Sequence, residues 1–209
     1  MNLFLDIDGP ILDVSDRYYR VYQDFCDKNQ LVPSTKKKFW QTKRAKKDIN
    51  IPDKLRADFR DYWAKVIESP AYTKFDQIQL GAITALDKLS QHNNLFAVSL
   101  RQDSKTEMSI LKQFGIVEYF CQIFIASPAL FQSENNWKIK RDLIADIANH
   151  NDMIAGDTGT DIKCGQNLGL KTVAVLSGIS NRQILTRYKP DYITDNITTL
   201  VQLLEREKL

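Results

Sequence analysis

Short apolar runs alternate with helical patterns along most of this chain, and the alternation limits the folds that it can adopt. The runs have the length of buried strands and lie at residues 3–5, 95–98, 123–125, 153–155, 172–176 and 192–193. Between them, apolar residues recur at helical spacing, as at Leu86 and Leu89 or at Leu200 and Leu203. Strands and helices in alternation favour a mainly parallel sheet with helices on both faces. The sequence therefore predicts an α/β fold.

Residues 16–79 interrupt the alternation, because they hold helical patterns but no convincing strand. The helical patterns lie at 18–25, 39–45 and 55–67, and prolines at positions 33, 52 and 70 mark their boundaries. We therefore expect a core built from residues 1–15 and 80–209, with residues 16–79 forming a helical insert after the first strand.

Composition and charge exclude several classes of protein. With 209 residues, of which 43% are hydrophobic and 26% charged, the chain is not collagen-like, of low complexity or wholly disordered. Its formal net charge of +3 is too small to indicate a nucleic acid or a membrane as partner. Three widely spaced cysteines indicate reduced thiols, and the chain begins without the basic segment of a signal peptide. We expect a cytoplasmic protein with neither a membrane nor a nucleic-acid partner.

Two aspartates, Asp6 and Asp8, follow the first predicted strand and precede Gly9. Carboxylates at the end of a buried strand are costly to desolvate unless a cation or a substrate uses them. One of them could act as a nucleophile while the other transfers protons. Alternatively, they cap or turn the chain into the next helix, and these residues alone leave both interpretations open.

A second acidic turn, with Asp157 and Asp161, follows the fourth apolar run. Ligands of parallel sheets bind at the carboxyl ends of the strands. If the first and fourth runs are neighbouring strands, Asp6, Asp8 and Asp157 converge there. Three carboxylates in a small volume repel one another and require a hard cation such as Mg²⁺. The chain has only two histidines, which disfavours a His-rich zinc site.

Groups that bind anions lie near two other element ends. The second apolar run ends in Ser99, and Arg101 follows closely, which places a hydroxyl group and a cation at the same rim, although Ser99 could instead cap the next helix. Lys138 and Lys140 both lie at the start of a later helix. Lys140 is better placed to reach the rim, because apolar residues three and four positions later lie on the core face of that helix.

Taken in order, these features resemble the four signatures of the haloacid dehalogenase superfamily, in its phosphatase branch. The signatures are Asp6-Ile7-Asp8-Gly9, the strand that ends in Ser99, Lys140, and Gly156-Asp157 with Asp161. The resemblance covers nearly the whole chain and is strongest to phosphoglycolate-phosphatase-like members with a helical C1 cap. It implies a Rossmann-like core, a cap at residues 16–79, and Mg²⁺-dependent hydrolysis of a small-molecule phosphate monoester.

The resemblance also implies a role for each of these residues. Asp6 would be the nucleophile that forms an aspartyl-phosphate, and Asp8 the general acid and base. Ser99 and Lys140 would bind the phosphoryl oxygens. The implied Mg²⁺ ligands are Asp6, the backbone carbonyl of Asp8 and Asp157, with Asp161 in support nearby or through water.

The chain departs from the family pattern at two positions. Pro10 stands where a threonine is usual, which removes a hydroxyl group and a backbone N–H. Arg101 follows Ser99-Leu100 in place of the commoner Thr-Asn, and we expect it to bind an anionic substrate group at the mouth of the site. Asp8 disfavours a dehalogenase, since a halide leaves without a proton. A phosphomutase of the same fold stays open.

A basic run at residues 36–47 surrounds Phe39 and Trp40. It is interpreted first as a solvated helix face whose two aromatic side chains pack inward. Alternatively, Lys43 or Arg44 faces the cleft and binds a second anionic group of the substrate. A third interpretation is a nucleic-acid-binding module, which salt-sensitive retention on single-stranded DNA would reveal.

Overall fold

The computed structural model describes residues 1–126 and 136–207. Its strands are β1 (Asn2–Leu5), β2 (Leu12–Asp13), β3 (Gln77–Ile78), β4 (Asn94–Ser99), β5 (Gln122–Ile125), β6 (Met153–Gly156), β7 (Lys171–Val175) and β8 (Tyr192–Thr194). Six of these form one parallel sheet in the order β5-β4-β1-β6-β7-β8. Each of the six apolar runs predicted as strands overlaps a strand of this sheet, so the predicted α/β fold is confirmed.

Strand β1 lies between β4 and β6, with Leu5 paired to Ala97 on one side and to Ala155 on the other. This register brings the carboxyl ends of the three strands together. The residues that follow β1 and β6, together with the end of β4, therefore share one edge of the sheet. Ligand sites of open α/β sheets occur at this edge, where the strand order reverses.

The helices are α1 (Ser15–Lys28), α2 (Lys36–Arg44), α3 (Arg56–Val66), α4 (Pro70–Thr73), α5 (Ala82–Ser90), α6 (Ser104–Gln113), α7 (Asn136–Ile144), α8 (Gly159–Leu168), α9 (Arg182–Thr186) and α10 (Ile197–Glu207). Helices cover both faces of the sheet, as the alternating side chains of β1 demonstrate. Leu3 and Leu5 pack with Leu86 and Leu200 in one apolar cluster, whereas Phe4 belongs to a second cluster on the opposite face. Burial on both faces explains why the strands are continuous apolar runs.

Helices α1 to α4 lie in sequence between β2 and β3, which pair with each other as an antiparallel ribbon. Helices α1 to α3 share an aromatic core in which Tyr22 stacks on Phe39 and Phe25 meets Phe59 edge to face. The expectation of no strand within 16–79 is wrong at β3, because a two-residue strand carries no apolar run. The assignment of residues 16–79 to a separate cap domain stays a prediction.

Two further findings concern membrane-crossing helices and the state of the cysteines. None of the described helices combines the length and the apolar character that a membrane crossing requires. The three cysteines are free thiols in the described structure, in agreement with the prediction from their spacing.

Candidate active site

An acidic cluster forms where β1 and β6 end side by side. Asp6 directly follows β1, and Asp157 directly follows β6. Together with Asp161 they offer carboxylate oxygens that all lie within 4.8 Å of one another. The convergence expected from a parallel sheet is therefore present in the structure.

Asp157 shows how strongly this cluster needs a cation. Its side chain is buried, and its Oδ1 has no hydrogen-bond partner among the described residues. Burial, followed by repulsion from Asp6 and Asp161, raises the pKa of Asp157 well above its ordinary value. A Cβ atom at Gly178 would overlap the Asp157 carboxylate, so glycine is required for this close approach. An orphaned buried oxygen among hard carboxylate donors fits Mg²⁺.

Lys140 supplies the positive charge of the cluster. Its Nζ donates to Asp6 Oδ1 at 2.9 Å and to Asp161 Oδ1 at 2.5 Å, and its side chain is 2% exposed. Burial would lower the pKa of Lys140, but the carboxylates of Asp161 and Asp6 outweigh it and raise that pKa above its ordinary value. Lys138, by contrast, is exposed and lies over the Trp137 ring. Of the two predicted candidates, the structure brings Lys140 into the site.

The ionisation of Asp6 depends on the same partners. Burial raises the pKa of Asp6 to about 7, against the opposing effect of Lys140. A cation bound beside it would favour the carboxylate form that nucleophilic attack requires.

Both carboxylate oxygens of Asp161 accept hydrogen bonds. Its Oδ2 accepts hydrogen bonds from the amide and the hydroxyl group of Thr158, at 3.0 and 2.7 Å, as part of the capping box that begins α8. Its Oδ1 accepts from Lys140. These contacts favour a supporting role, in which Asp161 fixes Lys140 and the start of α8.

Ser99 ends β4, is buried, and lines the same cleft as Asp6 and Lys140. Its Oγ accepts a hydrogen bond from the Arg101 amide at 3.2 Å. The alternative in which Ser99 caps the next helix is wrong, because the N-cap of α6 is Asp103, whose Oδ1 accepts from the Thr106 amide.

Asp8 lies between two arginines. Arg17 Nη2 donates to its Oδ2 at 2.5 Å, and Arg101 donates from Nε to Oδ2 at 3.1 Å and from Nη2 to Oδ1 at 2.5 Å. Burial would raise the pKa of Asp8, but Arg101 and Arg17 outweigh it and hold that pKa well below its ordinary value. The N-cap of α1 is Val14, so the helix-capping interpretation of Asp6 and Asp8 is also wrong.

Arg101 lines the cleft, as expected, but its side chain is paired with two carboxylates of the protein. Its side chain is only 5% exposed, and its guanidinium contacts both Asp8 and Asp76. Two carboxylates within 2.7 Å neutralise this cation, while its Nη1 has no hydrogen-bond partner among the described residues. A contact of Arg101 with a substrate anion stays a prediction.

The basic run meets the site at a different residue from those predicted. Lys43 Nζ lies 4.3 Å from the Trp63 ring centroid, and burial lowers its pKa to about 8. The Arg44 guanidinium donates to the Leu176 carbonyl. Among the described residues, neither side chain lines the cleft, whereas Lys46 does. Phe39 is buried and Trp40 half-buried, as the first interpretation of this run expects.

The cleft has a volume of about 490 Å³, which suits a small ligand. Sequence reasoning missed Arg17 and Asp76, which complete the surroundings of Asp8, and Tyr18 and Lys46, which line the cleft beside it. Arginine and aspartate occur near many helix and strand ends, so nothing in the sequence distinguishes Arg17 and Asp76 as site residues. The long stretches of sequence between Asp8, Asp76 and Arg101 leave no local pattern.

The chain is similar to known proteins both in sequence and in fold. A sequence model of the family described as HAD-hydrolase-like matches residues 138–200. The chain is 44% identical over 54 residues to pyrophosphatase PpaX of Bacillus mycoides, which covers 26% of this chain and 25% of that protein. It is 21% identical over 158 residues to phosphoglycolate phosphatase of Vibrio cholerae, which covers 74% of this chain and 68% of that protein.

Solved structures share the fold along nearly the whole chain. A haloacid dehalogenase-like family hydrolase from Streptococcus pneumoniae has a TM-score of 0.72 at 18% identity, with 97% of each chain covered. A HAD-superfamily hydrolase from Geobacter sulfurreducens has a TM-score of 0.66 at 16% identity, covering 97% of this chain and 95% of that chain. At these identities the likeness establishes the fold.

Proposed function

We propose that this chain is a haloacid dehalogenase-like hydrolase that catalyses Mg²⁺-dependent hydrolysis of small-molecule phosphate monoesters. The match of the family model to residues 138–200 and the shared fold support this assignment. The observation that carries the proposal is the convergence of Asp6, Lys140 and Asp157 beside the cleft, at the carboxyl ends of β1 and β6. Phosphoryl transfer depends mainly on an in-line nucleophile and on neutralised charge. This arrangement supplies both.

In the proposed reaction, an Asp6 carboxylate oxygen attacks phosphorus while the bond from phosphorus to the ester oxygen breaks. The electron pair of that bond goes to the leaving oxygen. In the proposal this oxygen takes its proton from Asp8, which Arg101 and Arg17 keep ionised in the free site and which gains a proton when the negative charge of the bound substrate favours the neutral carboxyl group. Water then attacks the phosphorus of the aspartyl-phosphate and gives a proton to Asp8, which releases inorganic phosphate and restores Asp6. Ser99 and Lys140 bind the phosphoryl oxygens throughout.

Asp6, the backbone carbonyl of Asp8 and Asp157 would hold Mg²⁺, which when bound neutralises the negative charge of nucleophile and phosphoryl group. Lys140 contributes a second positive charge beside Asp6. A cytoplasmic location stays an expectation from the wide spacing of the cysteines.

Lys46 is the candidate for recognising the rest of the substrate. Phosphoglycolate and pyrophosphate, after which two relatives are named, both carry an anionic group besides the phosphoryl group under attack. Lys46 lines the cleft from the segment that follows α2. For whichever of the two compounds is hydrolysed, we expect Lys46→Ala to raise KM about tenfold and to leave KM for an aryl phosphate unchanged. Lys47→Ala, at an exposed neighbour, is the matched control, and an equal rise in both variants would contradict this assignment.

The activity itself is tested by measuring phosphate release from an aryl phosphate and from a panel of metabolite phosphates, with and without Mg²⁺. Asp6→Asn, purified in the same way, controls for contaminating phosphatases. Release that needs Mg²⁺ and disappears in Asp6→Asn supports the proposal. Equal release by both proteins, or none from any substrate, refutes it.

A further inference from the structure

A closed ring of four charged side chains lies beside the proposed phosphoryl site. Arg17 and Arg101 each contact the Asp8 carboxylate, and each also contacts Asp76: Arg17 Nε lies 3.1 Å from Asp76 Oδ1, and Arg101 Nη2 lies 2.7 Å from Asp76 Oδ2. Two guanidinium groups thus join two carboxylates, and the four charges balance.

The ring is buried on every side except at Asp8. The side chain of Asp76 is 0% exposed, those of Arg17 and Arg101 are 1% and 5% exposed, and that of Asp8 is 23% exposed. Asp8 lines the cleft, whereas Asp76, among the described residues, does not. Asp8 and Arg101 therefore both face the cleft, whereas Arg17 and Asp76, within the described part of the chain, support them from outside its lining.

The ring also lies where helices α1 to α4 join the sheet. Arg17 is in the first turn of α1, and Asp76 directly precedes β3. Arg101 follows β4. Both ends of the inserted segment therefore belong to the ring that holds Asp8, the residue that would transfer the proton.

We propose that Asp76 is a positioning residue of the reaction, which orients Arg17 and Arg101 so that together they fix the Asp8 carboxyl group in the cleft. The inference rests on the proposed function, since it concerns how Asp8 serves that reaction. It also changes the role of Arg101 from a substrate anchor to a support of Asp8. A guanidinium fork suits this task, because its planar donors bind two carboxylates at fixed angles.

The physical reason for such a support is the backbone beneath Asp8. Asp8 precedes Gly9, which has φ +104°, and stands in a loop after β1. Arginine contacts on both oxygens restrict the side chain to one orientation. Displacement of a reacting group by about 1 Å is enough to lower a rate by about 100-fold.

Asp76→Asn tests the proposal, because it keeps the shape of the side chain and removes the charge that binds both arginines. On an aryl phosphate with Mg²⁺, we expect kcat to fall by about 10- to 100-fold, with KM within about twofold of the wild-type value. In an Asp8→Asn background, Asp76→Asn should have no further effect on kcat, because its effect passes through Asp8. An aryl leaving group departs without a proton, so release of the aryl group can still be measured in the Asp8→Asn protein. With this substrate the fall in kcat arises in the hydrolysis of the aspartyl-phosphate, where Asp8 takes a proton from water.

Asp152→Asn is the matched control. Asp152 is also buried, but it bonds to Asn2 and to the Asn149 amide at the opposite end of β1. The Asp152→Asn substitution should lower the melting temperature without changing kcat, both in the wild-type protein and in the Asp8→Asn background. If Asp76→Asn does not fold, Arg101→Lys replaces it in the comparison of the wild-type and Asp8→Asn backgrounds. Arg101→Lys keeps the positive charge but lacks the planar guanidinium group, so it should lower kcat while leaving KM unchanged.

Three results would overturn the proposal. The first is an equal fall of kcat in the wild-type and Asp8→Asn backgrounds, which indicates a merely structural role for Asp76. The second is a change confined to KM, which would make Arg101 a substrate anchor. The third is unchanged kinetics. A failure of the proposed function looks different, since the wild-type protein then shows no Mg²⁺-dependent turnover that Asp6→Asn abolishes, and this outcome would overturn both proposals.

Discussion

At the scale of single residues, Lys140 allows a direct test of the charge balance in the site. Lys140→Met keeps the length of the side chain but leaves Asp6 and Asp161 without their buried cation. Removing one partner of a buried ion pair costs about 3–5 kcal/mol, so we expect a fall of that size in the free energy of unfolding and a loss of phosphatase activity. Urea denaturation and the aryl phosphate assay measure the two effects.

Lys138→Ala is the control for this prediction, because Lys138 is exposed on the same helix. Its free energy of unfolding should stay within about 0.5 kcal/mol of the wild-type value. Equal losses in the two variants would mean that Lys140 has no special role in the cluster.

The residues of the acidic cluster were predictable because a simple geometric rule places them. Asp6 and Asp157 each follow an apolar run, and parallel strands end at one edge of the sheet. Lys140 was predictable from the helical spacing of the apolar residues after it. The contacts of Arg101 were not, because they depend on Arg17 and Asp76, which reach Asp8 only through the packing of α1 and β3. Tertiary contacts of this kind leave no periodic signal.

At the scale of elements, the attachment of α2 to the core is open to test. The Arg44 guanidinium, at the end of α2, donates to the Leu176 carbonyl, and the Arg44 carbonyl accepts from the Asn181 amide at 3.0 Å. Arg44→Ala removes only the first contact, a charged hydrogen bond worth about 1.5–3 kcal/mol. We expect faster amide hydrogen exchange in α2 and unchanged exchange in β1, as measured by mass spectrometry.

Lys47→Ala, at an exposed residue just beyond α2, should leave hydrogen exchange as it is in the wild-type protein. If Arg44→Ala instead raised KM without changing exchange, the structural role of Arg44 would be wrong, and the original prediction of a substrate contact would regain support.

Elements were predictable where burial imposes a pattern. The strands of the parallel sheet lie between two helical layers, so they are apolar on both faces and stand out in the sequence. The ribbon of β2 and β3 has two residues in each strand, too few for any alternation. It forms because the chain must leave and re-enter the core beside Asp8, which is a requirement of the whole fold.

At the scale of the whole molecule, stability should respond to Mg²⁺ and to pH together. Burial raises the pKa of Asp6 from 3.8 to about 7, and burial and its neighbours raise the pKa of Asp157. A carboxyl group with a raised pKa binds its proton more tightly in the folded state. Its contribution to stability is therefore complete below pH 3.8 and is lost as the pH rises through about 7.

Metal-free protein should accordingly melt at a higher temperature at about pH 6 than at about pH 8. Mg²⁺ should raise the melting temperature more at the higher pH, because protons compete with the metal for the same carboxylates. Calorimetry at both pH values, with and without Mg²⁺, measures this coupling. Asp157→Asn removes one ligand and its repulsion of Asp6, so it should reduce both the pH difference and the response to Mg²⁺. A Mg²⁺ shift that is equal at both pH values, or unchanged in Asp157→Asn, would place the metal away from these carboxylates.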